Sequence, residues 1–245
     1  MSLGSFSIAS RFCGPPTSGN GGYVAGRLAG FVETDADRPA VAVRLFAPPP
    51  LEVALDVREE GEGAGLFDGD RLVAKARAVP LELSPPPPPS FEVASEATRS
   101  FRGFDEHPLP GCFVCGIDRK EGDGLRIFPG EASGEGLYAA SWTPDESLRS
   151  DSGDALEEAF VWAALDCPGA FCFPQVDGVV LLGEMTARTF GSVRIGEPCV
   201  VTSWSIESEG RKHVTGTALY DEKGECVGHA RATWIHVDAD SIPSG

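Results

Sequence analysis

The chain has 245 residues, 42% of them hydrophobic, enough to bury a substantial core as one large domain or as two of about 120 residues. Its formal net charge of −17 excludes generic binding to nucleic acid or to an anionic membrane, because a polyanion needs a positive surface; a small anionic ligand held by a few Arg or Lys side chains stays open. The longest apolar run, "AFVWAAL" from Ala159 to Leu165, is far below the roughly 20 residues of a membrane span, and the seven cysteines are an odd count that suits free thiols in a reducing cytoplasm better than a secreted disulfide frame.

The N-terminus, "MSLGSFSIAS", has no basic residue ahead of its weak apolar patch, which argues against a cleaved signal peptide. The stretch "SGNGGYVAGRLAG", Ser18 to Gly30, then reads as the opening of a helix that carries five glycines, each interior one costing about 1 kcal/mol against Ala. Strand-like segments follow, up to a boundary at Leu83 to Gly111. There Pro85 to Pro89 forbid helix and sheet interior and favour a stiff extended strap of about 3 Å per residue. Beyond it, "GLYAASWTP" (Gly136 to Pro144) predicts a strand. "ALEEAFVWAALDCPGAF" predicts a helix, with Leu156, Phe160, Ala163 and Ala164 at helical spacing and a cap at Asp154. This helix is apolar nearly all round and belongs inside the protein. Strands are predicted near Val179 to Phe190, Pro198 to Glu207, His213 to Tyr220 and Cys226 to Val237.

The two halves resemble each other. "LFDGDRLVAKARA" (Leu66 to Ala78) matches "LYDEKGECVGHARA" (Leu219 to Ala232), with Arg77 opposite Arg231 at an offset of 154 and Phe67 opposite Tyr220 at 153. Upstream, Pro50 to Val57 matches Pro198 to Ile206 at 148, and "VRLF" (Val43 to Phe46) matches "ARTF" (Ala187 to Phe190) at 144. A steadily growing offset is what a duplicated unit with slightly longer loops in its second copy produces. The predicted organisation is a first unit over 1–84, a Pro-rich linker over 85–106 and a second unit over 107–245.

One early strand, a central helix and four antiparallel strands that wrap it resemble the hotdog fold, and two such units in tandem resemble a double hotdog, an α+β architecture. "CFVCGIDRKEGDGLRI" (Cys112 to Ile127) is similar to the segment that opens many hotdog-fold acyl-CoA thioesterases of the PaaI-like type. In those enzymes the helix starts His-Gly-Gly and carries an Asp nine residues after the His. Here Asn20-Gly21-Gly22 begins one helix, with Ala29 at the ninth position; Glu157-Glu158-Ala159 begins the other, with Asp166 at the ninth. Each helix keeps a different half of the motif, and Asn stands in for His. The resemblance therefore implies one composite site, with Asn20, Gly21 and Gly22 from the first unit and Asp166 from the second, while the reciprocal site is lost.

The implied activity is hydrolysis of an acyl-CoA or other acyl thioester without a metal or other cofactor. Free N–H groups of Gly21 or Gly22 at a helix start can stabilise the oxyanion, and Asp166 can act as base or nucleophile. The competing reading of the glycines is close helix–helix packing, and that of Asp166 is a cap on the "CPG" turn. Tyr23 and Trp162 are candidates for the acyl pocket; Arg126, Arg211 and Lys212 are candidates for the CoA phosphates. The lone C-x-x-C of Cys112 and Cys115 lacks the four ligands of a structural zinc, which Cys167, Cys172 or Cys13 would supply only through folding. His229 is expected at the surface. A non-hydrolytic acyl-CoA or acyl-carrier binding protein and an enoyl-CoA hydratase are the alternative functions on this fold, and further pairing into a homo-oligomer is left open.

Overall fold

The computed structural model describes the chain apart from residues 133, 135, 151, 152, 175–177, 239 and 241–245. Asn20 is where the chain turns into its first helix: its Oδ1 accepts the N–H of Tyr23 at 2.9 Å, an N-cap that starts α1 (Gly21–Ala29). Before α1 lies β1 (Ser2–Ser7), a strand the sequence reading leaves unassigned. It forms because Phe6 and the following Ile8 are buried, while the other residues of the strand are mostly exposed, a pattern too sparse to register as alternation. After α1 come β2 (Ala40–Leu45), β3 (Ala54–Glu60), β4 (Gly63–Asp68) and β5 (Arg71–Val79).

The proline run holds no regular structure, as its lack of N–H donors requires, and Tyr220 Oη donates to the carbonyl of Pro86 at 2.6 Å, pinning the strap to the second half. The linker is more than a strap, however. It continues into the helix α2 (Phe91–Thr98), capped by Ser90, whose Oγ accepts the Val93 N–H. The second half contains β6 (Gly130–Glu131), β7 (Leu137–Trp142), α3 (Glu158–Ala164), β8 (Val179–Thr189), β9 (Cys199–Glu209), β10 (Lys212–Tyr220) and β11 (Cys226–Val237). The late strands match the predicted spans within a residue or two. The helix α3 starts later than expected, at the N-cap Glu157 rather than at Asp154. Leu156 N–H donates to the Val193 carbonyl and Ala155 bridges Arg194, so tertiary pairing holds these residues extended.

All strands join one antiparallel sheet in the order β1-β3-β4-β5-β2-β8-β11-β10-β9-β7-β6. The halves meet at β2 and β8, where Val41 to Arg44 pair with Ala187 to Glu184. The order β1-β3-β4-β5-β2 recurs as β7-β9-β10-β11-β8. Against this sheet the two helices pack on each other. A Cβ at Gly26 would stand 2.7 Å from Trp162 Cβ and 2.8 Å from Ala159 Cα, and one at Gly22 would stand 2.8 Å from the Trp162 carbonyl oxygen. The contacts run antiparallel, Gly22 toward Asp166 and Gly26 toward Ala159. Bare backbone at these two positions is what lets the helices approach so closely, and one continuous core spans both halves. Among the described residues no helix is long and apolar enough to cross a membrane.

Candidate active site

The helix α3 stops at Leu165, and Pro168 opens a short 3-10 turn, Cys167–Phe171. Asp166 lies at the break with φ −83 and ψ −86, and its side chain makes no cap to that turn. Instead it crosses to the start of α1. Asp166 Oδ2 accepts the N–H of Gly22 at 2.9 Å and the Nδ2 amide of Asn20 at 2.9 Å. Asn20 thus caps its own helix with one atom and holds the carboxyl group of the other half with another. The Asp166 side chain is buried at 2% exposure, and its Oδ1 has no hydrogen-bond partner among the described residues.

Burial pushes Asp166 up to about 7 because the charged form loses its water; the Gly22 N–H opposes that rise and the adjacent Cys112 sulfur adds to it. The N–H of Gly22 is therefore occupied, whereas no acceptor takes the N–H of Gly21 among the described residues. Both Gly21 and Asp166 border a cavity of about 670 Å³ whose wall comes from both halves: Leu45 to Pro49 on one side, Phe171, Leu182 and Trp234 on the other. Largely apolar walls around a few convergent polar groups are the usual make-up of a small-molecule site.

No protein-family model matches the chain and no curated protein matches it in sequence. Solved structures do match over nearly the whole length. A protein assigned as a thioesterase II from Thermobifida fusca covers 95% of this chain and 91% of its own, at 13% identity and a TM-score of 0.58. A conserved protein of unknown function with hot dog fold from Alicyclobacillus acidocaldarius covers 95% and 92%, at 11% identity and a TM-score of 0.57. The chain has the hotdog fold. The tesB protein of Mycobacterium avium subspecies paratuberculosis also aligns, over 89% of this chain and 87% of its own, at 15% identity and a TM-score of 0.54. At such identities the likeness is one of fold alone.

Within this hotdog the residues named from sequence fall into two groups. Asn20, Gly21, Gly22 and Asp166 come together as described. Tyr23 and Trp162 do not reach the cavity wall: Tyr23 stacks on Phe12 at 4.3 Å in an aromatic cluster of the core, and Trp162, 1% exposed, packs on Gly26. Both side chains face the seam between α1 and α3 or the core beneath it, and an apolar residue of a buried helix carries no local sign of whether it meets core or cavity. Arg126 turns inward to donate to the Arg119 carbonyl, and Arg211 and Lys212 sit at the exposed β9–β10 turn; none of the three lines the cavity.

The expected surface position of His229 is also wrong. It is 7% exposed, edge-on to Phe190 at 5.1 Å, because that ring, just beyond the end of the paired strand β8, covers it. The sequence reading missed Arg102, a cavity residue whose guanidinium donates to the carbonyls of Phe173 and Ala170. Only the linker helix and the 3-10 turn bring it there, and no local pattern announces it.

Proposed function

We propose that this hotdog protein hydrolyses acyl thioesters, acyl-CoA among them, at one composite site between two tandem hotdog units. The tandem reading, with units over 1–84 and 107–245 joined by 85–106, is supported by the recurring strand order. It is supported further by the matched residues, since Arg77 and Arg231, Phe67 and Tyr220, and Phe46 and Phe190 fall on or beside strands at equivalent places. A repeated detail agrees: Arg44 lies 5.4 Å from the Phe46 ring and Arg188 lies 4.7 Å from the Phe190 ring.

The observation that carries the activity is the Asp166 carboxyl group at the start of the other half's helix, with Oδ2 held by Gly22 and Asn20 and Oδ1 left without a partner beside the cavity. Two fixed donors on one oxygen orient the other. Asp166 Oδ1 takes a proton from water as the water oxygen bonds to the thioester carbon, and the N–H of Gly21, which meets no acceptor among the described residues and lies at the positive end of α1, receives the oxyanion. Collapse of that intermediate breaks the C–S bond, and the departing sulfur takes back the proton. The reciprocal position has Glu157, which makes no side-chain cap, at the start of α3 and Ala29 in place of the carboxylate, so chemistry is confined to one site. The seven unpaired cysteines suit the reducing cytoplasm.

The test is free-thiol release from a panel of short, medium and aromatic acyl-CoAs by the wild type and by Asp166→Asn. The variant keeps an acceptor for the Gly22 N–H but has no base. Turnover of at least one ester by the wild type with a loss on the order of 100-fold in the variant is expected. No turnover by either protein, or equal turnover by both, overturns the reading.

A further inference from the structure

The C-x-x-C turn has a role that thioester hydrolysis does not require. The turn is closed by the Gly116 N–H on the Cys112 carbonyl at 2.9 Å and is tied to the first half by the Phe113 N–H on the Cys13 carbonyl at 2.8 Å. Cys167, the first residue of the 3-10 turn, arrives beside it from the other direction. The Sγ atoms of Cys112, Cys115 and Cys167 all lie within 4.8 Å of one another, with Cys112 and Cys167 3.6 Å apart. All three are buried and all three border the cavity.

Apolar packing alone accounts for buried thiols, but not for the donors gathered here. The thiols of Cys115 and Cys167 and the backbone N–H groups of Cys115 and Val114 all hydrogen-bond to the Cys112 sulfur. The Asn20 amide adds contacts of 3.9 Å to Cys112 Sγ and 3.6 Å to Cys167 Sγ. Metal binds the thiolate form, and these donors lie where the negative charge of metal-bound sulfur would fall. Sulfurs around a tetrahedral zinc at about 2.3 Å stand about 3.8 Å apart, so the Cys112–Cys167 pair already has ligating spacing.

We propose that Cys112, Cys115 and Cys167 form a three-thiolate site for a soft divalent cation, zinc foremost, with its fourth position open toward the cavity. The fold supplies the third ligand that the lone C-x-x-C lacks. Binding releases the thiol protons and leaves the complex with one net negative charge, which the surrounding N–H donors offset. Hard cations such as magnesium and calcium are disfavoured by an all-sulfur set. The site uses sulfur alone and borders the proposed hydrolytic centre, with Cys167 Sγ 3.9 Å from Asp166 Oδ2, but no step of thioester hydrolysis requires it.

Cobalt(II) titrated into the reduced full-length protein tests it. The expected result is a thiolate-to-cobalt absorption band that saturates at one ion per chain and is displaced by zinc. Cys115→Ser should weaken binding at least about 10-fold, the loss that removing even an outer partner of a metal brings. Cys226→Ser, altering a half-buried thiol on β11 outside the cluster, should leave binding unchanged. Because Cys115→Ser could disturb folding, the wild type supplies a second readout: zinc should protect Cys112, Cys115 and Cys167 from alkylation under conditions that expose the other thiols. A cobalt band absent or indifferent to Cys115→Ser, no zinc protection of the three, or a Cys112–Cys167 disulfide that withstands reductant would overturn the proposal.

Discussion

Gly22 is the residue on which packing and chemistry meet. A methyl group there would run into Asp166 Cβ and stand 2.8 Å from the Trp162 carbonyl oxygen, and neither neighbour is the free end of a flexible side chain. We expect Gly22→Ala to destabilise the fold by roughly 1–3 kcal/mol, as overpacking does, and also to move Asp166 off the Gly22 N–H. Thermal unfolding together with thiol release checks both effects; a variant with wild-type melting temperature and rate would remove Gly22 from the argument. Asn20→Ala removes the cap on Tyr23 N–H and the bond to Asp166 at once. Its cap alone is worth about 1 kcal/mol, so its melting temperature should fall. The two roles expected for the glycines are compatible: Gly22 and Gly26 serve close packing, while the Gly21 N–H meets no acceptor among the described residues and is available for the proposed oxyanion.

The element scale turns on how the two helices touch. Gly26→Ala would place a methyl 2.7 Å from Trp162 Cβ, whereas Gly30→Ala, at the end of α1 with φ −61, would meet nothing nearer than an ordinary 3.7 Å contact with the Arg27 carbonyl. Opposite signs are therefore expected: Gly26→Ala loses roughly 1–3 kcal/mol, and Gly30→Ala is neutral or gains up to about 1 kcal/mol by stiffening the unfolded chain. Urea unfolding of the pair decides.

On β11, burial and then the Arg188 charge hold His229 below its ordinary 6.5. As pH falls through that ordinary value the unfolded chain takes up the proton first, so the fold loses stability on the acid side until the folded value is passed. His229→Gln should lose less stability than the wild type between about pH 7.5 and about pH 5.5. Equal losses would show that His229 contributes nothing to the acid limb. The comparison with the variant matters, because acid also relieves the repulsion of a chain with net charge −17.

At the scale of the whole molecule, two interfaces make the halves interdependent: the β2–β8 pairing and the α1–α3 contact. Either half alone would expose a sheet edge and an apolar helix face. Unfolding should accordingly be a single cooperative transition, and the chain carries its own probe for this. The four tryptophans, Trp142, Trp162, Trp204 and Trp234, all lie in the second half, while far-ultraviolet circular dichroism reports on both. Coincident urea transitions by the two signals are expected; a fluorescence transition well separated from the dichroic one would mean that the halves unfold independently.

What the sequence determined by itself is whatever rests on neighbours along the chain. The late strands and the proline strap are local choices between nearby residues, and they are where the sequence places them; the cap expected at Asp154 is not, because tertiary pairing holds Ala155 and Leu156 extended. The contact of Asn20 and Gly22 with Asp166 was anticipated too, but only through the resemblance to a family motif split between the two helices. Which residues of the two buried helices meet the cavity was not legible, so Tyr23 on α1 and Trp162 on α3 were assigned to a wall they do not line. The tertiary structure decided between the two readings of Asp166, since its side chain makes no cap to its own turn. It alone delivers Arg102 to the cavity, buries His229 and carries Cys167 to the C-x-x-C turn. Each of these joins residues far apart in sequence, and contacts of that kind are set by how the sheet closes around two helices, which no local spacing encodes.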